Sequence, residues 1–117
     1  MGKGTLRDSF GYALRGILAA VASGRNMKIH LLAAILAVIT GWWLGINRLE
    51  WAMITIGIFM VLAAETLNTA IEKAVDLVTR EYHPLAKQAK NLAAGAVLLT
   101  ALSAVIIGLL IFGPYLW

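Results

Sequence analysis

The sequence predicts an all-α membrane protein in which one amphipathic surface helix precedes three transmembrane helices. Hydrophobic residues make up 61% of the 117 positions and charged residues only 14%, whereas soluble domains are about half apolar and a quarter charged. A membrane span needs ~20 apolar residues, so a chain of this length has room for few spans. We therefore expect one membrane domain, residues 1–117. Because the chain has no cysteine, disulfides and thiolate metal sites are excluded.

The first predicted helix, residues 5–23, is amphipathic. At about 100° per residue, its larger apolar side chains share one sector and its charged side chains lie elsewhere. That sector contains Leu6, Phe10, Ala13, Leu14, Ile17 and Val21. The pattern predicts a helix that lies in the membrane surface rather than a signal peptide. Ser23 and Gly24 are expected to break this helix, and Asn26 to cap the next one.

Three long apolar stretches predict transmembrane helices at residues 27–46, 50–79 and 90–113. Trp42 and Trp43, near the end of the first stretch, are typical of a membrane interface. The second stretch continues at helical spacing beyond its uncharged part, although acidic residues are embedded in it. Each stretch is long enough to cross a hydrocarbon core of about 30 Å.

The sequence also suggests how the spans are bounded. Arg48 and Glu50 follow the first span and are expected to form an exposed pair in the loop. Gly113 and Pro114 are expected to end the third span, because Gly and Pro commonly follow the last turn of a helix.

The basic residues predict the orientation in the membrane. Five precede the first span and three lie in the loop at 79–91, whereas the loop between the first two spans has only Arg48. The eight are Lys3, Arg7, Arg15, Arg25, Lys28, Arg80, Lys87 and Lys90. Basic loops remain cytoplasmic, so the N-terminus and the 79–91 loop are expected in the cytoplasm. The net charge of +4 then indicates attraction to anionic lipid, not to nucleic acid.

Polar residues in the second span form one narrow stripe. Glu65, Asn68, Glu72 and Asp76 are spaced by three, four and four residues, which places them within about 80° of one helix face. An ionisable residue inside a membrane costs ~2.5–3.5 kcal/mol on insertion scales, so the stripe needs a reason. It indicates either catalysis or transport, or else polar contacts between helices.

The depth of the stripe follows from the helix rise. Glu65 lies 14 residues after Trp51, which is about 21 Å into the membrane at 1.5 Å per residue. With a core of ~30 Å, Glu65 is buried in the inner leaflet, while Glu72 lies near the cytoplasmic boundary and Asp76 beyond it. The stripe thus connects lipid to water, where a lipid-soluble and a water-soluble reactant can meet.

The residue types suit a general base and a magnesium ligand at that boundary. Glu65, in low dielectric, is a candidate general base. Glu72, with Asp76, is a candidate ligand of Mg²⁺, an ion that prefers a few carboxylates together with phosphate oxygens. Asn68 can orient a hydroxyl or a phosphate. The chain has no P-loop, so any nucleotide site is of another kind. Because three spans hardly enclose a site, a homo-oligomer is expected.

Several segments resemble the small prokaryotic diacylglycerol kinase and undecaprenol kinase family. Segment 65–76, ETLNTAIEKAVD, resembles the family signature E-x-x-N-[ST]-A-I-E-x-x-V-D. Segment 25–30, RNMKIH, is similar to a stretch typical of the Gram-positive, undecaprenol-type branch. Segment 82–90, YHPLAKQAK, and segment 93–98, AAGAVL, look like the family's loop and third span, and Tyr12-x-x-Arg15-Gly16 looks like its surface helix.

The resemblance implies a homotrimeric lipid kinase of the bacterial cytoplasmic membrane that uses MgATP. It implies Glu65 as general base, Asn68 as a further catalytic residue and Glu72 as metal ligand. It also implies a set of residues near the nucleotide and its phosphates: Tyr12, Arg15, Asp76, Lys90 and Asn91. Lys28 and His83, which lie within the resembling segments, are further candidates.

Two positions depart from the family pattern. The family usually has a Glu that binds metal just before R-N-[FM], where this chain has Gly24, and an Asp after the A-K of the loop, where it has Asn91. Water can replace a carboxylate on Mg²⁺, and Asn retains an oxygen. The departures therefore indicate either drift with compensation or weakened metal binding.

The resulting prediction is ATP-dependent phosphorylation of a membrane lipid alcohol, with undecaprenol as the first candidate. A diacylglycerol kinase is the alternative within the class. The alternative from another class is a catalytically weakened or non-enzymatic relative that binds lipid or cations. His30, at the start of the first span, is expected to be an interfacial residue bonded to backbone or headgroup, with a functional contact to a proton or a phosphate as the alternative.

Overall fold

The computed structural model describes residues 4–117 and consists there of four α-helices. They are α1 (Leu6–Ser23), α2 (Arg25–Leu44), α3 (Arg48–Val78) and α4 (Pro84–Leu116). Lys3, counted among the basic residues above, lies outside the described residues, as does the side chain of Arg25.

Three of these helices contain stretches long and apolar enough to cross a membrane, namely Asn26–Leu44, Arg48–Val78 and Pro84–Leu116. The prediction of an all-helical membrane protein with three candidate spans is therefore confirmed. Most large apolar side chains of the described residues face outward, as expected where the surroundings are lipid or another apolar surface.

Helices α3 and α4 are the longest elements and pack against each other most extensively. They contain 31 and 33 residues, or about 46 and 50 Å at 1.5 Å per residue. Both exceed a hydrocarbon core of about 30 Å. Each therefore has a part that crosses the core and a part that extends beyond it.

The connections between helices define two ends of the bundle. Residues 45–47 join α2 to α3, and Tyr115 of α4 reaches Glu50 at the same end. Residues 79–83 join α3 to α4 at the opposite end. We call these the 45–47 end and the 79–83 end.

Helix α3 begins with a capping box. Asn47 Oδ1 accepts from the Glu50 backbone N–H at 2.9 Å, and Glu50 Oε1 accepts from the Asn47 N–H at 3.0 Å. The two residues thereby satisfy two of the donors that a helix start leaves free. The expectation of a loop pair of Arg48 and Glu50 was wrong, because this box starts the helix at Arg48.

Gly24 alone separates α1 from α2. Its N–H donates to the Ala20 carbonyl at 3.0 Å and ends α1, and α2 begins at the next residue. Asn26 therefore lies inside α2, and the expectation that it caps the helix was wrong. The corner is tight: a Cβ atom on Gly24 would lie 2.9 Å from the Ala20 carbonyl oxygen and 3.2 Å from Met27 Cβ.

Helix α2 ends in a left-handed glycine. Gly45 has φ 66° and ψ 45°, a conformation that residues with a Cβ rarely adopt. The Ile46 N–H donates to the Gly41 carbonyl at 3.2 Å and the Gly45 N–H to Trp42 at 3.3 Å, which is the pattern of a Schellman motif. This turn directs the chain back toward α3.

Helix α4 continues through Gly113 and Pro114 to Leu116, so the expectation that these two residues end it was wrong. Gly113 has no left-handed backbone, and the proline ring removes only one bond of the last turn. Gly113 is instead buried beneath Trp117: a Cβ atom there would lie 2.8 Å from the indole ring.

The buried core lies toward the 45–47 end. Ile46, Ile54 and Ile111 form a cluster against which partly buried side chains such as Trp51 and Phe112 pack. Toward the 79–83 end, the buried positions include Met27, the small residues Ala20 and Ala93, and the polar Glu65. The polar stripe of α3 occupies that less apolar part.

Candidate functional site

The polar stripe of α3, defined as Glu65, Asn68, Glu72 and Asp76, runs from the middle of the bundle toward the 79–83 end. Glu65 is 3% exposed, Asn68 is half-buried and Glu72 is exposed. Asp76 is half-buried because it pairs with a residue of α4. The stripe therefore passes from a dry environment to an accessible one along a single helix face.

Two oxygens of the stripe are buried without a hydrogen-bond partner. They are Glu65 Oε1 and Asn68 Oδ1, which are separated by one helical turn. A buried acceptor without a donor costs about 1–3 kcal/mol, and more when it is charged. Buried polar groups are nearly always paired, so these two atoms need a donor from outside the described residues, such as water or a ligand.

His30 of α2 faces Glu65. Its Nε2 lies 4.0 Å from Glu65 Oε1, with the His30 side chain 21% exposed. Sequence reasoning did not include His30 among the site residues. The signal in the sequence was its position as the sixth residue of α2. Consecutive spans are antiparallel, so a residue near the start of one span lies level with the later part of the next.

An ion pair joins the end of the stripe to α4. Lys90 Nζ donates to Asp76 Oδ1 at 2.7 Å. Lys90 also lines a cavity of about 250 Å³ at the 79–83 end together with Asn91 and His83. The other lining residues include two further basic side chains, Arg80 and Lys87. The cavity is therefore suited to a ligand that carries negative charge.

His83 has a structural role in that connection. It is the N-cap of α4, and its Nδ1 accepts from the Leu85 backbone N–H at 3.1 Å. Pro84 follows in the first turn of the helix, where its missing N–H costs nothing. His83 therefore fixes one wall of the cavity.

The candidates on α1 and at the start of α2 form a separate group. The Arg15 guanidinium lies 5.6 Å above the centre of the Tyr12 ring, within the range of a cation–π contact. Lys28 is exposed. No hydrogen bond or ion pair of the described residues joins Tyr12, Arg15 or Lys28 to the stripe of α3.

The described residues do not bring together enough side chains to hold a metal ion by themselves. Within residues 4–117, no three His, Asp or Glu side chains lie together as possible ligands. Mg²⁺, however, commonly takes one or two carboxylates and completes its shell with water and substrate phosphates. The exposed Glu72 fits that donor set, and it lies one helical turn before Asp76, whose partner Lys90 lines the cavity.

Together, the fold and the site define a small helical membrane protein with a polar stripe that leads to a basic cavity at one end of its helices. Residues 11–112 match the family described as Prokaryotic diacylglycerol kinase. The chain belongs to this family of lipid kinases. The family recognised from the segment at 65–76 is thus confirmed.

Curated relatives support the same assignment. The chain is 46% identical to the undecaprenol kinase of Bacillus subtilis over 108 residues, which covers 92% of this chain and 88% of the relative. It is 33% identical to the diacylglycerol kinase of Escherichia coli K12, covering 82% and 79%. It is 43% identical to the diacylglycerol kinase of Synechocystis, covering 86% of this chain but 58% of that longer protein.

Proposed function

We propose that this protein transfers the γ-phosphoryl group of MgATP to the hydroxyl of a membrane lipid alcohol, with undecaprenol as the first candidate. The observation that carries the proposal is the pair of unpartnered buried oxygens, Glu65 Oε1 and Asn68 Oδ1. They lie on a stripe whose far end reaches a basic cavity. A lipid hydroxyl can approach from the membrane and a nucleotide from water.

Glu65 acts as the general base in this proposal. Its carboxylate accepts the hydroxyl proton of the lipid while the lipid oxygen bonds to the γ-phosphorus. The bond between that phosphorus and the bridging oxygen breaks, and ADP leaves. The products are a lipid phosphate, ADP and one proton, so the reaction balances. Asn68 orients the hydroxyl or the transferring phosphoryl group through its amide.

The 79–83 end holds the phosphates. Lys90, positioned by Asp76 at 2.7 Å, and Asn91 face the cavity with the basic residues of the connection. Glu72 is the carboxylate that would hold Mg²⁺. When bound, the metal neutralises charge on the phosphoryl oxygens. Tyr12 and Arg15 would reach the nucleotide from α1.

The same residues support a topology and an assembly. The excess of basic residues at the N-terminus and in the 79–91 loop supports a cytoplasmic site in the bacterial inner membrane. The exposed apolar face of α1, with Leu6 75% and Phe10 68% exposed, supports a helix in the membrane surface. The unpartnered oxygens and the incomplete metal site support a homotrimer in which subunits complete each other's sites.

The acceptor lipid is testable directly. The purified protein in detergent or lipid vesicles is incubated with labelled ATP and Mg²⁺, and with undecaprenol or diacylglycerol in parallel. Labelled undecaprenyl phosphate formed at higher kcat/KM than phosphatidic acid is the expected result. Diacylglycerol is the second candidate, because two of the relatives above are diacylglycerol kinases, and a preference for it would reverse the assignment.

The same assay tests the weakened alternative, which Gly24 favours. A chain without the carboxylate of that position lacks one ligand, so activity is measured across several divalent metals and concentrations. Phosphorylation of neither lipid under any of these conditions would contradict the proposal. Binding of lipid or cations without turnover would then be the remaining function.

A further inference from the structure

We infer that His30 is a positioning residue that holds the Glu65 carboxylate toward the lipid hydroxyl through an Nε2–H hydrogen bond. The inference deepens the proposed function and rests on Glu65 as the base. It starts from the 4.0 Å separation between His30 Nε2 and Glu65 Oε1. No other described residue supplies a donor to that oxygen.

The separation is close to a hydrogen bond without being one. An N–H···O bond has a donor–acceptor distance of about 2.7–3.2 Å, so a movement of about 1 Å closes it. Hydrogen bonds of catalytic groups are often long in the absence of substrate and tighten in the complex. A neutral imidazole with its proton on Nε2 is a donor on that side, and the pairing needs no change in protonation.

The surroundings of His30 explain why the Glu65 carboxylate needs a hydrogen-bond donor at this position. His30 lines an apolar cavity of about 240 Å³ between α2, α3 and α4, and the thirteen other lining residues are apolar. Apart from His30, the walls of this cavity offer no side-chain donor that could hold the orientation of a neighbouring carboxylate. More than nine-tenths of the surface of Glu65 is buried. A partner that holds its carboxylate therefore has to come from a facing helix.

The position of the cavity connects His30 to the lipid. From His30, its walls run along α2 to Ala37 and along α3 from Val61 to Ile54, away from the polar stripe. Val61 is one helical turn before Glu65. A hydrocarbon chain in this cavity would therefore end with its hydroxyl beside His30 and Glu65. Correct alignment of base and hydroxyl is what a positioning residue contributes.

Replacement of His30 by amides of two lengths tests the inference. In His30→Gln the amide nitrogen is as many bonds from the backbone as Nε2, whereas in His30→Asn it stops one bond short. We expect His30→Asn and His30→Leu to lower kcat by roughly ten- to a hundredfold, because a misplacement of about 1 Å costs on that order. KM for both substrates stays unchanged, and His30→Gln recovers most of the activity.

Thr40→Val is the matched control on α2. Its hydroxyl donates only to the Leu36 carbonyl of its own helix at 2.8 Å, so the change leaves kcat unaltered. Loss of activity in His30→Gln as large as in His30→Leu would overturn the inference. So would an increase in KM with kcat retained, which indicates that His30 binds substrate rather than positions the base.

A measurement without turnover separates this inference from the proposed function. The protein contains two histidines, and ¹⁵N-histidine labelling gives two sets of imidazole resonances, assigned by their loss in His30→Gln. We expect Glu65→Gln to shift the His30 set and leave the His83 set in place. An unchanged His30 set overturns the pairing, whether or not either lipid is phosphorylated. The lipid assay alone decides the proposed function.

Discussion

Helix α3 carries two glutamates in opposite situations. Glu50, at the 45–47 end, accepts from the Asn47 N–H at 3.0 Å and from the Tyr115 hydroxyl at 2.5 Å. Glu65, four turns further on, is 3% exposed and its Oε1 accepts nothing. The first carboxylate has less need of partners, because it is more accessible, and yet it has them.

The 45–47 end is the end of the molecule that is built for stability. At the 45–47 end, the capping box and the Gly45 turn pair backbone groups at the helix ends, and the isoleucine cluster packs beside them. Along the stripe, buried oxygens remain free. An unpartnered buried group is costly, so it needs a donor from outside the described residues, such as water or the ligand proposed above. Substitutions at Glu50 and Glu65 test this contrast between the paired glutamate and the unpaired one.

The largest expected effect is that of Glu65→Gln. The amide retains the shape of the side chain but removes the base, so we expect kcat to fall by about 10²- to 10⁴-fold. Thermal stability should stay equal or rise, because a desolvated charge without a partner is removed. Turnover with the preferred lipid and the Tm in detergent are the measurements.

Glu50→Gln is the matched variant for that experiment. It removes the charge from the paired glutamate of the same helix, so the Tm should fall while kcat is retained. If both variants lose activity equally, or if Glu65→Gln mainly lowers the Tm, the contrast between the two ends is wrong.

The next effect concerns Glu72. A ligand that binds only the folded protein stabilises it by RT ln(1 + [L]/Kd), or about 2.7 kcal/mol at a hundred times Kd. We expect MgATP to raise the Tm of the unaltered protein and not that of Glu72→Gln. Lys73→Gln, at the adjacent position off the stripe, should keep the full shift. A full shift in Glu72→Gln would remove Glu72 from the metal site.

Substitution of Gly24 is expected to have a smaller effect, which combines a lower Tm with a changed dependence on Mg²⁺. A Cβ atom there lies 2.9 Å from a backbone oxygen, and overpacking of this kind costs typically about 1–3 kcal/mol. Gly24→Ala and Gly24→Glu should therefore both lower the Tm. Relative to Gly24→Ala, the added carboxylate of Gly24→Glu should lower the Mg²⁺ concentration at half-maximal activity. Identical metal dependence in the two variants would show that Gly24 acts only as a corner between helices.

Local patterns explain how much could be predicted. The apolar stretches indicated α2, α3 and α4, and the spacing of Glu65, Asn68 and Glu72 placed them on one face without any knowledge of packing. The predicted start of α3 was wrong because a second local pattern determines where that helix begins. The N-x-x-E pattern from Asn47 to Glu50 is a capping-box signature, and it was visible in the sequence.

Contacts between helices could not be predicted in the same way. The approach of His30 to Glu65 depends on the relative height of α2 and α3, which the Gly45 turn sets to within a residue or two. The bond between Tyr115 and Glu50 joins residues 65 positions apart, and it needs α4 to continue through Pro114. Neither the relative height of α2 and α3 nor the continuation of α4 through Pro114 is encoded by the periodicity within one helix.

The smallest expected effect is that of Tyr115→Phe, which removes one donor from the paired glutamate and nothing else. Glu50 keeps its bond to the Asn47 N–H and remains accessible to water, so the Tm should fall less than in Glu50→Gln, with turnover and the MgATP shift unchanged. The two Tm values together separate the cap from the tie between α3 and α4. If Tyr115→Phe lowers kcat, the 45–47 end influences the reaction, and the division of the molecule into a structural end and a reactive end fails.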